Sequence, residues 1–306
     1  MLDRYSGLRS PIVSTFLAIV ACLLWSTAFV GIKIGLRYSE PFSFAGQRFM
    51  LAGLLLVPFW WRQSVFSRTI LPNLPLILKI SFFQTFVLYG LFYLGITMVS
   101  GALAAIIIGT APLITAILAH FCMDDEAMTV PKLISLGIGV LGVALISVSR
   151  QPWESLAGLR AFGGILLLLL STIASGYGNV LVARDKVKID PVLLNSSQIF
   201  IGGLFLFLLS LPLEGFPRLS MPLPYYGALL WLSLLSAVAF SLWFLLLKEP
   251  SVSLSRLNLW KFIIPVCGAL LSWWLLPGES PQLASVLGMI MIAVAIVAYS
   301  LADARR

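Results

Sequence analysis

Residues Ser255 to Pro265 read SRLNLWKFIIP, placing Arg256, Asn258 and Lys261 within six positions of otherwise apolar sequence. A third cation, Arg48, lies beside Gln47 in the equally apolar SFAGQRFMLAG. Fixed guanidinium and ammonium groups hold anions, and a carboxylate or phosphate on a small molecule is what they suit. Breaking bonds needs a nucleophile, an acid–base pair or metal ligands gathered at one depth. The chain has one histidine, His120, and no Asp or Glu well inside an apolar run. Metalloprotease and His/Asp acyl-transfer chemistry therefore have nowhere to sit. No Walker A sequence is present, and Asp124-Asp125-Glu126 lacks His or Cys at metal-ligand spacing. Cys22, Cys122 and Cys267 all lie in apolar runs and read as small buried hydrophobes. No enzyme activity, no cofactor and no metal are expected.

The elements that must position these cations follow from composition. Of the 306 residues 60% are hydrophobic and 10% charged, against about a quarter charged in a soluble domain. Apolar runs recur near the length of roughly 20 residues that lets a helix cross the hydrocarbon. Ten are expected, at about 14–36, 42–61, 75–98, 101–122, 131–149, 161–184, 191–211, 224–247, 252–276 and 281–302. No alternation of period two runs through them, so they read as helices and not as barrel strands. The first is too long for a signal-peptide core and is expected to be a retained helix. The connections leave no room for a soluble domain of about 50 residues.

Net charge is +8, and its placement matters more than its sum. With a cytoplasmic N-terminus, twelve cations fall on the inner side (Arg4, Arg9, Arg62, Arg68, Lys79, Lys132, Arg184, Lys186, Lys188, Lys248, Arg305, Arg306). Four, namely Arg37, Arg150, Arg160 and Arg218, fall outside. That bias predicts both termini in the cytoplasm. The expected partners are membrane lipid and a small-molecule metabolite, with no nucleic acid; the oligomeric state, monomer included, stays open.

The two halves repeat. Residues 39–58 align with 189–208, setting Pro41 on Pro191 and Gly53 on Gly203, while 110–126 align with 263–279, setting Pro112 on Pro265 and Glu126 on Glu279. Residues 1–150 and 151–306 thus read as two five-helix units. Five spans is an odd number, so the second half enters the membrane from the opposite side. The expected fold is all-α integral membrane: ten transmembrane helices as two inverted five-helix repeats around a central cavity, an architecture suited to alternating access.

Trp25 to Phe29 (WSTAF) in the first span, Gln47 to Phe49 (QRF) in the second, and the proline and glutamate pairs of the fourth and ninth resemble the EamA family of the drug/metabolite transporter superfamily. The resemblance covers essentially the whole chain. It implies a bacterial inner-membrane carrier of small metabolites, often an exporter, with a basket of helices around a central cavity.

A charge at mid-bilayer costs at least about 2.5–3.5 kcal/mol, so each deep cation needs a reason. Lys33 lies near a span end and can snorkel. Arg256 lies about one turn inside span nine, where it can snorkel, bind lipid phosphate, lie against Trp260 or act in gating. Lys261, nine residues past Val252, has its Cα roughly 13 Å deep. It shares a helix stripe with Asn258 and Pro265 and reads as a substrate or gating residue, with a buried structural pairing as the alternative. Arg48 either anchors the second span or lines a vestibule, and Gln198 takes its place in the repeat. Trp25, Tyr89 and Trp243 fall deep enough to stack on a substrate, with simple packing the alternative. Pro112 and Pro265 fall mid-span, where proline kinks a helix, and form a candidate hinge pair. Gly101, Gly109, Gly137, Gly139 and Gly142 read as close helix contacts.

These expectations converge on a secondary transporter, exporting or exchanging a small anionic or zwitterionic metabolite such as an amino acid or organic acid. A multidrug or hydrophobic-compound efflux carrier is the alternative. A lipid-translocating or scaffold protein is the alternative of another class.

Overall fold

Pro41 and Pro191 each open a helix, at the first position where a proline costs no backbone hydrogen bond. The computed structural model describes residues 11–61, 66–99, 104, 107–148, 158–185, 189–217, 220–267, 270 and 283–304. Every regular element among them is helical. In chain order these are α1 (Pro11–Gly35), α2 (Pro41–Leu56), α3 (Arg68–Ile96), α4 (Ala111–Cys122), α5 (Val130–Val148), α6 (Gly158–Arg184), α7 (Pro191–Glu214), α8 (Leu223–Lys248), α9 (Leu254–Leu259) and α10 (Leu283–Ala304). Seven, namely α1, α2, α3, α6, α7, α8 and α10, are long and apolar enough to cross a membrane. The other three expected spans, 101–122, 131–149 and 252–276, fall on α4, α5 and α9, and each of those ranges includes residues outside the description. Within α3 the backbone widens to a π-helix over Phe82–Val87.

Two compact units form, and both draw on both halves of the chain. The first takes 1–93 and 181–251, and the second takes 94–180 and 252–306. In the first unit α2 packs along α7. The N–H groups of Phe42 and Ser43 donate to the Glu214 carboxylate, each at 2.8 Å; Gly46 faces Phe207, Gly53 faces Phe200, and Gly203 faces Met50. As one number rises the other falls, so the two helices run antiparallel. The contact is also reciprocal, because Gly53 aligns with Gly203 and Met50 with Phe200 in the repeat. Glycine is what allows it: a Cβ on Gly53 would lie 2.6 Å from the Cβ of Phe200, and one on Gly203 2.7 Å from the Met50 nitrogen.

The second unit repeats the arrangement with the fifth span of each half. Lys132 at the start of α5 meets Asp303 at the end of α10, while Gly142 further along α5 meets Gly288 and Ile292. These helices too are antiparallel. Leu136, Val143, Leu259, Phe262, Ile292 and Tyr299 form the apolar core there. Of the glycines expected at close contacts, Gly109 faces Val143 and Gly139 faces Phe262. Gly137 is the exception, with nothing within 4 Å of an added Cβ, because its side of α5 is not the packed one. Gly101 lies outside the described residues.

Candidate functional site

Arg48 sits about two turns into α2 and is 2% exposed. Its Nε donates to Ser236 Oγ of α8 at 3.1 Å, and Ser233 Oγ, one turn earlier on α8, donates to the Arg48 carbonyl at 3.0 Å. Gln198, which takes the place of Arg48 in the repeat, accepts from Thr85 of α3 at 2.8 Å and donates to Asn195 at 3.2 Å. The second span of each half thus reaches a hydroxyl on the third span of the other. The amide is satisfied by hydroxyl and amide partners; the guanidinium is not. Arg48 Nη1 is buried without a hydrogen-bond partner, and Arg48 takes part in none of the ion pairs of the described residues.

Aromatic rings surround this charge. The Phe49 ring centroid is 4.7 Å from the Arg48 Cζ and 4.4 Å from the Tyr89 ring. Tyr89 continues to Phe240 at 6.4 Å. Phe240 meets Trp25 at 5.3 Å, and Trp25 meets Trp243 at 5.0 Å in an edge-on pair. Tyr93 lies one turn beyond Tyr89, fully buried, its hydroxyl beside the guanidinium. Phe49, Phe240 and Trp243 are buried, whereas Trp25 and Tyr89 are half-buried. Four residues expected at a substrate site, Trp25, Arg48, Tyr89 and Trp243, therefore come together on four different helices. Ser236, Tyr93 and Phe240 complete the niche. Tyr93 and Phe240 carry the same signal that picked out Tyr89, an aromatic deep in a span, while nothing in the sequence marks Ser236 among so many serines.

The remaining candidates lie in the second unit. Asn258 is fully buried on α9; it accepts from Asn179 Nδ2 at 3.1 Å and donates to the Leu254 carbonyl at 3.0 Å. Lys261 is half-buried in a 3-10 turn, Trp260–Phe262, that follows α9. Pro265 is the third residue of the helix that resumes at Ile263, and a proline there has no N–H for the Lys261 carbonyl one turn back. Pro112 is the second residue of α4, after a turn at Thr110. Each proline of the aligned pair thus follows an interruption of the α-helix. Arg256 donates through Nε to Asp303 at 2.6 Å, and its Nη2 contacts the same carboxylate; Lys132 meets the other oxygen of Asp303 at 2.5 Å. The guanidinium is thus held by a carboxylate 47 positions away. The side chain of Lys33 lies outside the described residues.

Two carboxylates cap helices across the fold. Glu126, 6% exposed, accepts from Ser253 Oγ at 3.1 Å and from the backbone N–H groups of Leu254 and Ser255, so the loop after α4 closes the N-terminus of α9. Glu214 does the same for α2. The anionic groups meet the positive ends of helix dipoles and supply partners to N–H groups that lack them. His120 joins the same loop, its Nδ1 at 3.3 Å from the Glu126 carbonyl and from the Met128 nitrogen. In the first unit Lys248 Nζ pairs with Asp185 at 3.2 Å and also donates to the Ile189 carbonyl, fastening the connection between α6 and α7 to the end of α8.

The sequence model of the EamA-like transporter family matches the chain twice, over residues 13–148 and 162–301. The uncharacterized transporter YvbV of Bacillus subtilis (strain 168) is 26% identical over 289 residues, covering 94% of this chain and 90% of that protein. An uncharacterized transporter of Archaeoglobus fulgidus is 27% identical over 276 residues, covering 89% and 94%. A crystal structure at 16% identity matches 95% of this chain and 98% of its own with a TM-score of 0.78, a likeness of fold. With several helices apolar enough to span and two successive matches filling most of its length, the chain is a multi-pass membrane protein that belongs to the EamA-like transporter family.

Proposed function

We propose that this protein is a secondary transporter that moves a small anionic or zwitterionic metabolite, such as an amino acid or organic acid, by alternating access, and that its net direction is export. What supports the mechanism is one observation above others: the second spans of the two halves pack antiparallel through reciprocal contacts, Gly53 on Phe200 and Gly203 on Met50. Repeats related by a two-fold axis perpendicular to their helices are inverted, and two inverted halves reach a mirror-related state by exchanging conformations. The fifth spans, α5 and α10, run antiparallel as well. The sign of the cargo follows from the deep side chains. Arg48 and Lys261 are cationic, and the described acidic groups stand at helix ends or in loops. The membrane is a bacterial inner membrane with both termini cytoplasmic, on the distribution of cations between the loops.

Purified protein in liposomes, assayed for uptake and counterflow with radiolabelled amino acids, organic acids and phosphorylated metabolites, tests this. An acidic or zwitterionic compound is expected to enter, faster when the vesicles are preloaded with it, and Lys261→Ala is expected to slow it more than Lys261→Arg. Movement of cationic or neutral compounds alone, unchanged in both variants, would defeat the reading.

A further inference from the structure

Burying a charged nitrogen without a partner is costly, and each such group in a folded protein requires an explanation. Arg48 Nη1 is one. The unit that contains it has five described carboxylates, on Glu40, Asp185, Asp190, Glu214 and Glu249, and none is placed to answer it. Glu40 and Glu249 flank the ends of α2 and α8, Asp190 caps its own helix α7, Glu214 caps α2, and Asp185 holds Lys248. Among the described residues of this unit no carboxylate answers the guanidinium, and an anion from outside the chain would. A guanidinium presents donors in a planar fork that matches a carboxylate.

The walls restrict what else that ligand carries. From Arg48 outward the rings run Phe49, Tyr89, Phe240, Trp25 and Trp243, at successive centroid distances of 4.4, 6.4, 5.3 and 5.0 Å. Trp25 and Tyr89, the half-buried members, offer ring surface to an incoming molecule. A second carboxylate against these rings would be desolvated without a partner, and an ammonium beside Arg48 would be repelled. A flat apolar group would stack there.

We propose that the niche takes the carboxylate of an aryl monocarboxylate on Arg48, with its ring against Trp25 and Tyr89. This rests on the transporter reading for its purpose but is tested by binding alone, which needs no transport. Protein in nanodiscs is titrated with phenylacetate, propionate, succinate and phenethylamine, following tryptophan fluorescence and, independently, equilibrium dialysis of radiolabelled ligand. Phenylacetate is expected to bind saturably and at least tenfold more tightly than each of the others. Arg48→Gln installs the side chain found at the repeat-related position 198, which suits a hydroxyl partner like Ser236; it is expected to weaken phenylacetate at least tenfold. Trp25→Leu, at a half-exposed position, is expected to weaken phenylacetate and leave propionate unchanged.

Absence of saturable phenylacetate binding by the parent protein overturns the proposal. So does equal binding of propionate or phenethylamine, or unchanged phenylacetate affinity in a folded Arg48→Gln protein. Should that variant fail to fold, the ligand series and Trp25→Leu decide. Binding as expected in a protein that moves nothing in liposomes would sink the transport reading and leave the site standing.

Discussion

The glycines where α2 crosses α7 give the sharpest stability prediction. In Gly53→Ala the new methyl would lie 2.6 Å from Phe200 Cβ, 2.9 Å from the Ser196 carbonyl oxygen and 3.0 Å from Phe200 Cα. In Gly203→Ala it would lie 2.7 Å from the Met50 nitrogen and 2.8 Å from Phe49 Cβ. The obstructing atoms are backbone or Cβ and cannot rotate aside. Ordinary carbon contacts sit at about 3.5–4.0 Å, so the helices must part by roughly 1 Å, stretching the bond of 2.8 Å from Ser196 Oγ to the Gly53 carbonyl. Overpacking of this kind costs about 1–3 kcal/mol, which exceeds the gain in helix propensity of about 1 kcal/mol at most. Each substitution is expected to lower stability by up to about 2 kcal/mol net. Together they are expected to cost less than their sum, because one parting of the helices relieves both clashes. Unfolding in mixed SDS micelles, followed by tryptophan fluorescence, measures this. Gly227→Ala is the control, since nothing lies within 4 Å of a Cβ there. If all three variants agree within about 0.5 kcal/mol, the scale of ordinary surface changes, the reciprocal helix contact is not what the glycines serve.

Two further outcomes follow from the second unit. Glu126→Gln keeps the shape of the cap on α9 and removes its charge; hydrogen bonds to charged groups are worth about 1.5–3 kcal/mol, so amide exchange at Leu254 and Ser255 is expected to quicken about tenfold or more, and unchanged protection there would refute the capping role. At Asp303, the Lys132 side chain is 6% exposed and that of Arg256 is 48% exposed. Lys132→Met is therefore expected to cost about 3–5 kcal/mol and Arg256→Met about 1 kcal/mol or less, and the reverse order in the same unfolding assay would contradict the assignment of burial.

Much of the architecture was legible before any coordinates, because lipid imposes it. With no water to satisfy backbone groups, apolar runs of bilayer length must be helices, and seven of the expected spans appear as helices long enough to cross. The proline and glycine alignment was likewise readable, since those residues punctuate helices by local sterics: Pro41 and Pro191 open α2 and α7, and Gly53 and Gly203 mark their crossing. Depth picked out Arg48, Trp25, Tyr89 and Trp243, because charge and aromatic bulk in hydrocarbon always need an account.

What those residues meet was settled only by the tertiary fold. Arg48 and Ser236 are 188 positions apart, Glu126 and Leu254 128, and Arg256 and Asp303 47; no helical period relates any of these pairs. Sequence suggested Trp260 as the neighbour of Arg256 because it lies one turn away, but Asp303 holds the guanidinium, a full carboxylate being the stronger partner. Sequence likewise grouped residues by half, whereas the compact units take helices from both. Local rules decide where a helix begins and how deep a side chain lies, since both depend on residues a turn or two apart. Which helix stands opposite depends on packing between surfaces far apart in the chain, and in this protein it is that packing which leaves the Arg48 guanidinium facing aromatic rings and, among the described residues, no carboxylate.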